Sequence, residues 1–228
     1  IALLGWGALL AYTLATRPQV DPAAALLFLL LAVALKREGF RVARLVTHSL
    51  SGVATLAALI ALGPCCGTWV AALAGTLFLA PRIPRNGHPA GPDRALRALF
   101  GGGLNALMAL AGAALYQTLG GRWSPATLQW ADLLPLTSLA LAWFLADHLG
   151  WSVRIALEEG LARLRPFLRA IYRHSILVEL APLPLAAVLA TVYHGAGTPA
   201  WLLLAAFLVA VGAILQRLNL TLEHARLR

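Results

Sequence analysis

Five polar residues carry what chemistry this chain could do. Asp147 and His148 lie inside PLTSLALAWFLADHLGWSVRIAL, the apolar run from Pro135 to Leu157. That run is about as long as the roughly 20 residues a helix needs to cross a bilayer. An ionisable group at a helix centre costs roughly 2.5 to 3.5 kcal/mol on insertion scales, so a partner for it is expected. Counting inward from neighbouring arginines, His48 follows Arg44 by four positions and Asn105 follows Arg97 by eight; Asp147 precedes Arg154 by seven and Glu179 follows Arg173 by six. At a rise of about 1.5 Å per residue these positions fall at similar depth, roughly 6 to 12 Å from one face. The count predicts one polar layer of Asp147, Glu179, His48, Asn105 and His148, with Thr47, Ser49, Ser51 and His174 near it. Such a layer is either a binding cavity or proton-linked site, or a hydrogen-bonded network that locks helix packing.

Other chemistries find little support. There is no H-E-x-x-H, G-x-S-x-G or Walker loop, and Gly101 to Gly103 has neither a preceding strand nor a following Lys-Ser/Thr. Cys65 and Cys66 are adjacent, a spacing that strains a disulfide ring, and the chain has no third cysteine. Glu158 and Glu159 fall where a span should leave the membrane and read as its solvated exit. No enzymatic activity, metal or other cofactor is expected of these residues.

Composition sets the surroundings. The chain is 60% hydrophobic and 12% charged, against roughly 25% charged in soluble domains. The class expected is all-α, a polytopic membrane bundle. Its apolar segments are eight: Ile1 to Thr16, Ala23 to Leu35, Leu45 to Leu62, Cys65 to Ala80, Leu96 to Leu119, Asp132 to Ile155, Ser175 to His194 and Pro199 to Leu220. The second is short. Pro64 is the strong break between the third and fourth, and a re-entrant hairpin is the alternative there. With both termini placed in the cytoplasm, sixteen of the eighteen Lys and Arg fall in inside connections, leaving Arg17 and Arg122 outside. Losing one span would reverse every later loop, so the bias supports eight spans.

The net charge of +9 comes from short basic runs between spans, which suits anionic headgroups and not nucleic acid. Asp93 to Phe100 and Leu161 to Tyr172 alternate Arg with apolar residues at helical spacing, as helices at the headgroup level do; Pro166 is expected to interrupt the second. Pro81 to Pro92 reads as a flexible loop. Small residues such as those at Gly101 to Gly103 read as helix-packing positions. Tyr116, Trp123, Trp130, Tyr193 and Trp201 read as an outer aromatic belt. The last span continues without Gly or Pro after Gly212 into LTLEHARLR, so residues 1–220 form the membrane module and 221–228 begin a cytoplasmic helix. The start at Ile1 and the end inside a helical pattern lead us to expect a longer protein.

ALFGGGLNALMALAGAALYQTLGG, ADLLPLTSLALAWFLADHLGWSVRIALEEG and HSILVELAPLPLAAVLATVY, followed by an apolar span and a charged helix, resemble the membrane-embedded N-terminal sensor region of bacterial signalling proteins, the kind that precedes GAF, histidine-kinase, GGDEF or HD-GYP output domains. The resemblance covers roughly Leu45 to Arg228. It implies an inner-membrane module that takes in a small-molecule or lipid-like signal, with any enzymatic output beyond this sequence. The family often has Asn at the polar position of span six, where this chain has Asp147. Homodimerisation through the last helix would suit such a module. A small-solute transporter, favoured by Pro135, Pro182 and Pro184 near helix ends, and an accessory subunit of a membrane complex are the competing expectations.

Overall fold

The computed structural model describes residues 1–19, 21–43, 46–79, 92–158, 160–174 and 182–226. These form a helical bundle with one short strand pair. The helices are α1 (Ala2–Thr16), α2 (Pro22–Arg37), α3 (Ser51–Leu79), α4 (Pro92–Thr118), α5 (Leu133–Glu158), α6 (Leu161–His174), α7 (Pro182–Gly195) and α8 (Gly197–Arg226). Four stretches are long and apolar enough to cross a membrane: Ser51–Leu77, Ala95–Thr118, Trp130–Leu157 and Gly197–Thr221. The protein is therefore a helical membrane protein.

The first of these stretches is continuous in hydropathy only. Gly63 interrupts α3 with φ 79° and ψ 175°, a backbone region open essentially to glycine alone, and Pro64 then begins a new helix with its ring in the favoured first position. A Cβ on Gly67 would lie 2.3 Å from the Leu59 Cα. Eight residues of straight helix would separate those positions by about 12 Å. The chain thus reverses at Gly63–Pro64, and the two legs of α3 lie against each other in a helical hairpin, as the break at Pro64 between two apolar segments allows.

The first leg of that hairpin is the centre of the bundle. Val53, Ala54 and every residue from Leu56 to Ala61 are buried, so no face of this leg is left for lipid or water. Helix α3 packs against α2, α4 and α7. Burial falls from 78% of the best apolar window in Ser51–Leu77 to 22% in Gly197–Thr221, which makes α8 a peripheral helix. It lies along α7 and α2.

One end of the bundle is tied by the reversals. Ser124 donates from its amide to the Ile60 carbonyl (2.8 Å) and from its hydroxyl to the Ala61 carbonyl (2.6 Å). His194 Nε2 lies 2.9 Å from the same Ala61 oxygen and donates to it as the Nε2–H tautomer. These bonds satisfy carbonyls that a helix C-terminus otherwise leaves without partners. Trp69 donates to Thr13 Oγ1 (3.0 Å), which also approaches Cys65 Sγ (3.4 Å). Asp21 caps α2 by accepting from the amides of Ala23 and Ala24. Arg122 forms a forked ion pair with the buried carboxylate of Asp132, which also accepts from the Gln129 amide. Its hydrogen bonds to Asp132 raise the Arg122 guanidinium above its ordinary value, so it stays charged at every working pH.

Four expectations change. The third apolar segment begins helix at Ser51, not Leu45: Val46–His48 is a strand, antiparallel to Phe40–Ala43, with His48 opposite Phe40 and Thr47 opposite Arg41. Alternating FRVA and β-branched Val46 and Thr47 suit a ladder better than a helix. Pro166 does not break α6, because as the sixth residue it forgoes only one of that helix's earliest hydrogen bonds. Asp93–Phe100 is the opening of α4, not a separate surface helix. The aromatic belt is mostly core: Tyr116 and Trp201 are buried, and Phe28 stacks edge-on with Trp201 (4.9 Å) and Tyr193 (5.4 Å), whereas Trp130 is 91% exposed. The Pro81–Gly91 part of the predicted loop lies outside the described residues. The glycines at 101–103 do lie at helix crossings, against α1 and α3.

Candidate functional site

Helix α5 carries Asp147 a little past its midpoint because the apolar run on either side of it is long enough to hold a helix without help from its polar pair. The Asp147 carboxylate accepts a hydrogen bond from the Trp151 indole, one turn further along, and lies within electrostatic reach of His148 and of Lys36. Lys36 belongs to the last turn of α2. Its long stem allows the ammonium to approach a carboxylate on a helix that is not its nearest neighbour. The charge of Lys36, on a different helix, thus acts on the carboxylate of α5 at electrostatic range.

Trp151 connects this pair to a second cation. The Arg154 guanidinium lies 5.1 Å from the Trp151 ring centroid and 5.3 Å from that of Phe100, and the two rings meet edge-on at 6.1 Å. A ring face attracts a cation while its N–H donates to an anion. Asp147, Trp151 and Arg154 therefore form a row along the C-terminal part of α5, with the charge of Lys36 acting on Asp147 from α2 at longer range. His148 acts on the Asp147 carboxylate more strongly than Lys36 does, and it is itself held within α5: its Nδ1 lies 2.8 Å from the Phe144 carbonyl, and its ring is 4.1 Å from that of Phe144.

Asn105 is not part of this row. Its side-chain amide donates to the Ala71 carbonyl on the second leg of α3 (3.0 Å). The adjacent residue, Leu104, meets α5 instead, where a Cβ on Gly150 would touch it. Asn105 therefore locks α4 to α3. His48 lies on a strand, so the depth counted along a helix from Arg44 does not apply to it; its side chain, and the whole of Glu179, lie outside the described residues. Ser49 and Ser51 hydrogen-bond each other (2.7 Å) where α3 begins.

Lys36 and Trp151 are the members of the site that sequence reasoning misses. Lys36 counts there only as a topological charge, yet the run LAVALKREGF places it directly behind apolar helix. Trp151 follows Asp147 by four residues, the spacing at which helix side chains meet.

No family model matches this chain, and no curated protein or solved structure is significantly similar to it.

Chemically, the row can hold a proton at Asp147 or admit an ion or polar group between the carboxylate and its cations. Its position gives it mechanical reach. Lys36, Arg37 and Glu38 end α2. Gln216 of α8 donates to the Arg37 carbonyl (3.5 Å), and the Glu38 Cβ packs where a Gly212 side chain would stand (3.2 Å).

Proposed function

We propose that this chain is a sensory input module of the bacterial inner membrane, in which a signal acting on the Asp147–Lys36 pair is transmitted through α8 to the cytoplasmic side. The observation that carries this reading is that the cation of the pair lies on the same turn of α2 that grips α8. A change in the pairing of Asp147 alters the pull on Lys36, and any shift of the Lys36 backbone carries with it the Arg37 carbonyl that holds Gln216. Helix α8 is about 45 Å long at 1.5 Å per residue, longer than the roughly 30 Å hydrocarbon core, so a displacement at Gly212–Gln216 reaches beyond the membrane. Its N-terminal half is anchored to the core by Trp201, Ala205 and Leu208, and the small buried share of the rest leaves the Gly212–Gln216 region free to move against α2.

The same reading gives the chain eight passes with both ends cytoplasmic. Its support is twofold: the arginine bias, and the contacts that gather Thr13, Cys65, Ser124 and His194 toward one end and Arg37, Leu99 and Gln216 toward the other. Helices α1, α2 and α7 have 15, 16 and 14 residues, and the legs of α3 on either side of Gly63, residues 51–62 and 64–79, are similarly short for a full crossing; a locally thinned bilayer accommodates them. In a background lacking Cys65 and Cys66, a cysteine at Thr127 should label with a membrane-impermeant maleimide from outside intact cells, and one at Arg165 only after permeabilisation. The reverse pattern, or labelling of both in intact cells, would refute the topology.

Transmission is tested by electron–electron distance measurement between nitroxides at Leu157 on α5 and Leu218 on α8 in the reconstituted chain. Asp147→Asn, which removes the charge and keeps an acceptor for Trp151, should shift the distance by about 1–2 Å, the scale of helix movements in switching proteins. Lys36→Met should move it as well. Superimposable distance distributions in all three proteins would sink the sensor reading.

A further inference from the structure

We infer that α6 is a recognition surface for anionic phospholipid headgroups. Its sequence, LARLRPFLRAIYRH, sorts by angle at about 100° per residue. Leu161, Leu164 and Leu168 share one face. Arg165 and Arg169 stand one turn apart on the flank beside it, and the same spacing recurs in the sequence at Arg173. In the structure Arg165 and Arg169 are exposed, and so are Leu161 (73%) and Leu168 (45%). Leu164 and Phe167 are partly covered, and α6 is in contact with α5.

Exposed leucines beside a row of exposed arginines are poorly suited to water and poorly suited to hydrocarbon. They fit the boundary between the two, where the leucines enter the acyl region and the guanidiniums meet phosphate. Among the described residues, neither Arg165 nor Arg169 is in an ion pair with a carboxylate. The occupant that complements the surface in both charge and polarity is an anionic phospholipid. A free anion would satisfy the arginines and leave the leucines in water.

The surface is also connected. Helix α6 touches the Phe40–Ala43 strand, and that strand touches α8. Lipid held by α6 therefore bears on α8 by a route separate from the Asp147–Lys36 pair. The lipid surface stands whether or not α8 carries a signal.

Native mass spectrometry of the full chain, released from nanodiscs of equimolar phosphatidylcholine and phosphatidylglycerol, reads the preference as the ratio of the two lipids retained. We expect enrichment of phosphatidylglycerol, lost by about fivefold for each of Arg165→Gln and Arg169→Gln and largely kept in the Arg165→Lys/Arg169→Lys variant, which preserves charge. Amide exchange within residues 161–174 should be slower in the mixed nanodiscs than in pure phosphatidylcholine, a readout that requires no variant to fold. An unchanged lipid ratio in the double Gln variant would overturn the inference and leave the stripe to an acidic protein partner. Loss of bound phosphatidylglycerol on adding inorganic phosphate at constant ionic strength would overturn it in favour of a free-anion site.

Discussion

Gly67→Leu should abolish the native fold, whereas Leu73→Ala, at an exposed position on the same leg of the α3 hairpin, should leave it intact. The Gly67 Cα sits against the backbone of Leu59 and Ala58, and a Cβ there would be 2.3 Å from the Leu59 Cα and 2.6 Å from its nitrogen. Those atoms belong to a main chain inside the most buried helix of the protein, so they cannot give way as a flexible side chain could. Overpacking a core ordinarily costs about 1–3 kcal/mol, occasionally more, and this site lies at the upper end because backbone must move. Opening the hairpin would also pull Ile60 and Ala61 away from Ser124 and His194, so the damage spreads to the end of the bundle where the reversals meet. Size-exclusion chromatography and thermal unfolding in mild detergent measure the result: we expect aggregation or a broad transition at low temperature for Gly67→Leu. Leu73→Ala should unfold within a few degrees of the native chain. A Gly67→Leu protein that remained monodisperse with a native transition would mean that the two legs do not touch as described.

The sequence shows that hairpin only in part, and the reason is physical. Hydropathy measures what a residue prefers to contact, and both legs prefer apolar surroundings, so Pro64 alone divides the segment Leu45 to Leu62 from the segment Cys65 to Ala80 in the sequence. Gly63 and Pro64 mark an interruption without saying whether the helix bends or reverses; Gly67 decides it, since only a residue without a side chain lets the second leg lie on the first. The strand at Val46–His48 is hidden for a similar reason. Leu45, Val46 and Leu50 extend the apolar run ahead of Ser51, and the ladder that claims Val46 and Thr47 depends on the partner segment Phe40–Ala43. By contrast, α5 and α8 are legible almost to their ends, because each is a single apolar run bounded by polar residues.

The candidate site is legible in one coordinate. Counting residues from the arginines gives depth, and depth singles out Asp147 as a group in need of a partner. Depth carries no information about rotation. Leu104 and Asn105 share a level in α4, yet about 100° of helical turn sends one toward α5 and the other to Ala71 on α3. Rotation is also why Asp147 and His148, neighbours in sequence, have different surroundings. Lys36 is hidden because a lysine at the end of an apolar segment serves equally well as a topological charge and as an ion-pair partner.

Lys36→Met and Asp147→Asn should be strongly non-additive. Removing the ammonium alone leaves Asp147 with His148 and the Trp151 indole but without the charge of Lys36, at a depth where water is scarce. Breaking a fully buried pair from one side costs about 3–5 kcal/mol, and the cost here should fall below that because Lys36 and Asp147 are both only partly buried. Asp147→Asn alone should be milder, since the amide oxygen still accepts from Trp151 and the lysine stem can carry its charge outward. In the double variant the carboxylate that suffered from losing Lys36 is gone, so its stability should lie close to that of Asp147→Asn. The coupling energy expected is about 0.5–3 kcal/mol, read from unfolding of the four proteins in mixed micelles. The cycle also separates two uses of Lys36. If its contribution came from the α2–α8 contact at Arg37 and Glu38, Lys36→Met would cost the same whether or not Asp147 carried a charge, and additive losses would remove the electrostatic link on which transmission to α8 depends.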